Sequence, residues 1–384
     1  MHLFRSQNLI NIGLTTSKKY KTTTVTSKCY YNKNMNGDQK DCIFPMHILG
    51  GGSIGFLFAA AMRKACDDAV TMLLRSHHKP RLISTREGVA AAKLQVCRPS
   101  DLQVIQTCDI PVEIIGETKD TIKCLLICTK ANDAMFALDS VWDRLDRDAA
   151  NLIILSNGAL AIRDSIQRHF HDHQNVKIIT STTTHGVYTK QVSDSESIDK
   201  YCIVHAGDGL TFCTNNNFID ACQKAGWLGA ALSEFEMNMM LWKKMAVNCV
   251  INPLTAIHGV KNGRLLSLDD SDETITHILK EVSSISMLEM ESFIKKGENL
   301  KSIQDQLLRS VRKQLSVDSL ETFVTKVMAD TADNISSMLQ DVRANKRTTE
   351  VRFLNGYVAL LGKEKYNIDC SWNEEICNKV EDLL

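Results

Sequence analysis

No stretch of this 384-residue chain is apolar enough to cross a bilayer: the longest uninterrupted run, Phe56 to Met62, is far short of the roughly 20 residues a spanning helix needs. Net charge is missing too. Lys+Arg and Asp+Glu both total 45, so no global basic field condenses on nucleic acid or an anionic membrane, and neither partner is expected. None of the thirteen cysteines forms a CxxC pair, the usual spacing for zinc or thiol exchange, so no metal site is expected. An odd number of thiols in apolar runs such as Cys124 to Cys128 suits a reducing compartment. The five prolines leave no obvious flexible linker.

What is present is the composition of a globular protein, with 44 % hydrophobic and 23 % charged residues. The chain is too long for one core, which usually stops growing near roughly 250–300 residues, so two domains are expected. Residues 1–45 stand apart. Arg5, Lys18, Lys19, Lys21, Lys28 and Lys33 precede the first acid, Asp38; because the whole chain is neutral, residues 38–384 carry the compensating negative charge. A basic, hydroxyl-rich, acid-free start resembles an organelle transit peptide, though only one of its cations is arginine. A disordered extension, or translation from Met35 or Met46, fits as well, so the compartment stays open between cytoplasm, mitochondrion and plastid.

From residue 46 to about 233, short apolar runs alternate with amphipathic stretches. MHILGGGSIG, FLFAAAMRKA and VTMLLRS read as strand, helix, strand, and Ile122 to Cys128, Asn151 to Leu155 and Val176 to Thr182 are further buried-strand candidates. Residues 234–384 carry helical periodicity instead, as in Leu300, Ile303, Leu307, Leu308, Val311 and Leu315. The fold class is therefore α/β: a Rossmann-type parallel-sheet domain followed by a mostly helical one.

The first strand ends in Gly50-Gly51-Gly52-Ser53-Ile54-Gly55, a GxGxxG loop in the strand-loop-helix-strand context that a dinucleotide site requires. Glycine permits the sharp turn and the close approach of a pyrophosphate, and the following helix start offers that anion free N–H groups. Twenty residues past Gly55, where an NAD site carries an acid, stands Arg75. A guanidinium there suits a 2′-phosphate, so NADP is favoured over NAD; an ordinary exposed arginine is the alternative.

In LWKKMAVNCVINPLTA, Lys244, Asn248 and Asn252 recur every fourth residue and span about 80° of one helix face. They can converge on one small ligand. Pro253 is expected to kink or end the helix at Asn252. Polar groups on an otherwise apolar helix need polar company, which a structural hydrogen-bond network would also provide.

LWKKMAVNCVINPLTA, STTTHG, LSNG, the CTKA segment and NISSMLQDVRANKRTTEVRFLNG, in that ordered set over residues 46–384, resemble the ketopantoate reductase (2-dehydropantoate 2-reductase) family. The resemblance implies NADPH-dependent reduction of 2-dehydropantoate to pantoate on the route to pantothenate and coenzyme A. It implies Lys244 as general acid, and Asn248, Asn252, Asn262, Asn334 and Ser337 as ligands of the substrate's carboxylate and hydroxyl. Glu350 would bind a hydroxyl at the substrate and ribose end. Gly50 to Gly55, Arg75, Lys130 and Asn157 would hold the cofactor. The spacing of Asn334 and Ser337 predicts one helix face, and Glu350, after Arg343, Lys346 and Arg347, has a solvated ion pair as its plain alternative. His169, His171 and His173 read as solvated, and His185 and His205 receive no catalytic role.

The segment 295–316 reads as a helix beyond the compact bacterial members, and the stretch around Tyr366 to Trp372 matches poorly. A small 2-keto acid is the expected partner, with a monomer or homodimer both open. Two other functions stay open: a reductase of the same fold acting on another branched 2-keto acid, and a catalytically silent NADP-binding regulator.

Overall fold

The computed structural model describes residues 43–66, 69–85, 88–170, 175–190, 200–268, 271–297 and 300–384. The basic segment before Ile43, together with His171 and His173, lies outside them. Twelve strands occur among the described residues: β1 (Met46–Leu49), β2 (Val70–Leu74), β3 (Ile83–Ser84), β4 (Ala90–Cys97), β5 (Val104–Ile114), β6 (Cys124–Ile127), β7 (Asn151–Ile154), β8 (Lys177–Thr183), β9 (Gly186–Thr189), β10 (Lys200–Gly207), β11 (Leu210–Cys213) and β12 (Leu228–Ala231). Helices α1 (Ser53–Ala65), α2 (Ala131–Asp139), α3 (Ala159–His169) and α4 (Asn216–Lys224) are interspersed. Then come α5 (Glu234–His258), α6 (Ser271–Lys296), α7 (Lys301–Gln314), α8 (Val317–Asp330), α9 (Ser337–Arg343), α10 (Asn355–Leu361) and α11 (Ser371–Glu381).

The central strands β5-β2-β1-β6-β7-β8 are all parallel. Their runs, such as MHIL and CLLI, are buried throughout, as strands covered on both faces must be. The central strands are the expected Rossmann-type parallel sheet. Antiparallel pairs β4/β5, β9/β10 and β8/β11 extend it on both sides. β4 and β5 are buried on part of their length and no residue of β9 is fully buried, so the mixed polar and apolar residues of these three offer no continuous run to recognise.

Gly55 through Met62 of α1 are buried without interruption, so no face of that helix can meet water. The sheet curls around it, with β2, β4, β5, β9, β10 and α4 packed against it. A second core begins on the other sheet face, beneath α2 and α3, and runs unbroken into the helices after Glu234.

The chain leaves β1 towards β2, then returns to place β6 on β1's other side. That reversal opens a crevice at the carboxyl ends of β1 and β6, where ligands of open α/β sheets bind.

Helix α5 starts with a capping box: Ser233 Oγ accepts from Glu236 N–H at 3.3 Å, and Glu236 Oε2 accepts from Ser233 N–H at 2.9 Å. It runs 25 residues to Gly259, in the left-handed conformation at φ 67°. Of the two outcomes expected at Pro253, a kink or an end at Asn252, the end does not occur. Tertiary packing carries it through Pro253 to His258, with Asn252 and Pro253 both buried. Within the segment 295–316, Lys301–Gln314 form α7, flanked by Leu300 and Leu315; Val311 and Leu315 are buried while Leu300 and Ile303 are exposed, so the expected apolar stripe is covered at one end only.

Candidate active site

The glycine loop sits at the crevice for reasons visible atom by atom. Gly50 adopts φ 122°, and a Cβ there would lie 2.8 Å from Thr129 N, so β1's end presses against β6's. A Cβ on Gly55 would lie 2.0 Å from Gly50 O. Gly52, the cap of α1, would put its Cβ in open space and offers no side-chain acceptor to the helix start. The first-turn N–H groups of Ser53, Ile54 and Gly55 are thus aimed where an anion can approach, and a pyrophosphate fits this cradle. Two substitutions separate fold from function. Gly55→Ala is expected to cost about 1–3 kcal/mol or more by overpacking, read as a lowered unfolding midpoint. Gly52→Ala should unfold like the parent yet weaken binding of a reduced nicotinamide dinucleotide by about tenfold in a fluorescence titration.

Arg75 follows β2 directly and is exposed, its guanidinium 5.6 Å from the centroid of the Phe136 ring on α2. His77, His78, Lys79 and Arg81 follow it in a short 3₁₀ turn, with Lys79 paired to Glu117 and Arg81 donating to Lys200 O at 2.8 Å. Burial drives the His78 imidazole down to about 4, with the charges of His77, Arg81 and Arg75 adding to the effect. Lys130, just before α2, does not face solvent alone: its ammonium meets Asp341 of α9, a buried carboxylate that also accepts from Lys346 Nζ at 2.8 Å.

Lys244 lies across the carboxyl ends of β7 and β8. Its Nζ donates to Thr182 Oγ1 at 2.8 Å and to Thr183 O at 3.3 Å. An ammonium has three donors, so one remains for a ligand. The side chain lines a narrow cleft together with Asn248, Ser156, Asn157, Thr182 and Leu354. Burial lowers the Lys244 pKa to about 8, against an opposing pull from the Glu350 carboxylate. Its neighbour Lys243 points elsewhere, donating to Gln314 at 2.7 Å.

Glu350 is buried and is no solvated partner of the cations before it. Oε1 accepts from Ala131 N–H, the start of α2, at 3.0 Å, and Oε2 accepts from Asn157 Nδ2 at 3.1 Å. One carboxylate therefore joins the helical part to two loops of the sheet. Asn252 is buried one turn beyond Asn248. Asn334 and Ser337 do not share a helix face: Asn334 lies in the turn before α9, because the Ser336 hydroxyl caps the helix by accepting from Leu339 N–H at 3.1 Å. Both are exposed, as ligand-facing or surface residues alike would be. Thr255 Oγ1 donates to Ser336 Oγ at 2.6 Å, which anchors the start of α9 beside α5, three residues past Asn252. Asn262 is buried, with Nδ2 on Thr331 Oγ1 at 2.9 Å and Oδ1 without a partner among the described residues.

Sequence reasoning missed Thr182, Ser336 and Asp341. All three lie inside segments that carried the family resemblance, but a threonine, a serine and an aspartate announce no role without their partners. His185 and His205 pair with each other at 2.9 Å, and His205 lies 3.8 Å from Asp208, a charge neighbour the sequence had not suggested. His169 ends α3, exposed. Among the described residues no cluster of metal-ligating side chains occurs, and no helix is long and apolar enough to cross a membrane.

A glycine cradle at the sheet's switch point, beside a cleft with a buried lysine from the helical part, suits an oxidoreductase that binds a nicotinamide dinucleotide. Residues 46–213 match the family described as ketopantoate reductase PanE/ApbA, and residues 236–383 match its C-terminal counterpart. The chain belongs to the ketopantoate reductase family. The 2-dehydropantoate 2-reductase of Vibrio cholerae is 30 % identical over 345 residues, covering 88 % of this chain and 96 % of that protein. The Archaeoglobus fulgidus enzyme of the same name is 27 % identical, covering 87 % and 96 %. Among solved structures, a PanE/ApbA family ketopantoate reductase from Ralstonia eutropha superposes with a TM-score of 0.63 at 18 % identity, over 88 % of this chain and 97 % of that one. A D-mandelate dehydrogenase solved with NADH and anilino(oxo)acetate gives 0.61 at 15 % identity, over 88 % and 97 %. Both share the fold.

Proposed function

We propose that this protein reduces 2-dehydropantoate to pantoate with NADPH, Lys244 acting as the general acid. The observation that carries this reading is the placement of a buried ammonium, oriented by Thr182 and with one N–H to spare, in a cleft that also holds Asn157 and Asn248. The reduced nicotinamide, when bound, supplies the hydride. Lys244 stabilises charge growing on the ketone oxygen and delivers the proton there. Asn248 and Asn252 orient a small oxo acid without adding charge, and Asn262, Asn334 and Ser337 complete the set proposed to hold its carboxylate and hydroxyl. Gly50 to Gly55 would hold the pyrophosphate and Arg75 the 2′-phosphate, with Lys130 and Asn157 also on the cofactor side. Glu350 keeps Asn157 in place and biases Lys244 towards its charged form.

The lowered Lys244 pKa sets the sign of the pH dependence. An acid must be protonated, so kcat/KM for reduction should be level below pH 8 and fall about tenfold per unit above it. Because Glu350 raises that pKa, Glu350→Gln should move the break to lower pH, and a pH–rate profile of both proteins reads this. An unmoved break would remove Glu350 from this role.

The substrate assignment is tested with purified protein, NADPH and a panel of 2-oxo acids with branched, linear and aryl side chains, followed at the nicotinamide absorbance. The highest kcat/KM should belong to 2-dehydropantoate. A higher value for another member would keep the chemistry and change the substrate. No turnover with any would favour a silent NADP-binding protein.

A further inference from the structure

Pro253 has no N–H, so the carbonyl of Cys249 lacks the donor an uninterrupted helix would supply. This carbonyl lies between Asn248 and Asn252, on a residue that is fully buried, where a backbone oxygen without a partner is costly. A side chain from another helix meets it. Asn355 Nδ2, at the start of α10, donates to Cys249 O at 2.9 Å and, with its second N–H, to Asn373 Oδ1 at 3.0 Å. Asn373 in turn donates through Nδ2 to Glu281 Oε2 at 2.7 Å, and Glu281 also accepts from the backbone N–H groups of Trp372 and Asn373. The chain of contacts thus runs from α6 through the starts of α11 and α10 to the lysine helix.

Asn355 is wholly buried, and its Oδ1 has no partner among the described residues. An apolar side chain would avoid that cost, so the position is explained by its two donors. It also directly follows Leu354, which lines the cleft, and closes the segment that begins at Glu350.

We infer that Asn355 is a positioning residue: by capping the carbonyl that Pro253 orphans, it holds the turn bearing Asn248 and Asn252 in register with Lys244 and with the Glu350–Phe353 segment. It touches neither substrate nor cofactor. The inference deepens the proposed keto-acid reduction and rests on that reading for its kinetic test.

Asn355→Ala should raise the KM for 2-dehydropantoate about tenfold while the NADPH KM and the pH break stay unchanged. Adding Pro253→Ala restores a backbone N–H to Cys249 O, so the double variant should return that KM to within about threefold of the parent. An unchanged KM in Asn355→Ala, or a double variant as impaired as the single one, overturns the proposal. If Asn355→Ala alone does not fold, recovery of folded protein in the double variant is the expected rescue, and its failure overturns the proposal equally. Should the parent reduce no 2-oxo acid, the proposed function fails separately, and the coupling is read from urea midpoints. Asn355→Ala should then lower the midpoint less in the Pro253→Ala background, and equal drops would contradict it.

Discussion

Lys244→Ala should lower kcat for 2-dehydropantoate by about 10²–10⁴-fold, the usual contribution of a positioned general acid, with NADPH affinity almost unchanged. The two readouts separate because the ammonium lies against β8, bonded to Thr182 and Thr183, whereas the phosphate cradle is formed by the β1 loop. Removing the amine also leaves Thr182 Oγ1 without its donor, but a hydroxyl can turn towards other partners, so the fold should survive. Lys243→Ala is the matched control. Lys243 bonds Gln314 rather than the cleft, so its loss should change stability and leave kcat close to the parent value. Stopped-flow or steady-state turnover beside a fluorescence titration of NADPH reads both. If Lys244→Ala turned over normally, the mechanism would be wrong even with the family assignment intact.

The second large effect concerns the cofactor. Arg75→Asp should erode the NADPH-over-NADH ratio in kcat/KM by about 10–100-fold, the worth of about 1.5–3 kcal/mol in charged hydrogen bonds. The physical reason is sign: the substitution puts a carboxylate at the β2 end, repelling a 2′-phosphate and accepting from free ribose hydroxyls. Lys79 and Arg81 remain nearby, so some preference should persist. Lys130 contributes differently, because its ammonium already has a buried partner in Asp341. Equal use of both nicotinamides by the unaltered protein would show that the arginine has no such role.

Much of this architecture was legible before any coordinates. MHIL followed by glycines announced β1 and its loop, because a covered parallel strand must be apolar on both faces and a phosphate turn must lack side chains. Most of the antiparallel additions were not legible, since β4 and β5 mix exposed and buried positions and β9 has no fully buried residue, so none of them shows a continuous apolar run. Pro253 misled for a physical reason: proline disfavours a helix locally, and only the amide of Asn355, more than 100 residues away in sequence, shows how α5 continues. The face shared by Lys244 and Asn248 followed from four-residue spacing alone. Spacing failed for Asn334 and Ser337 because the helix cap, Ser336, falls between them. Glu350 could be read as a surface ion-pair residue from its basic neighbours, whereas its partners, Ala131 and Asn157, come from the other domain.

The whole account depends on where the Lys244 amine stands relative to the reacting oxygen, and a crystal structure with NADP and pantoate bound measures that directly. The expected result keeps the bond to Thr182 and places the third N–H of Nζ on the substrate's 2-oxygen, at about 2.7–3.2 Å. An amine turned away from that oxygen, with pantoate seated outside the cleft of Asn157 and Asn248, would contradict it.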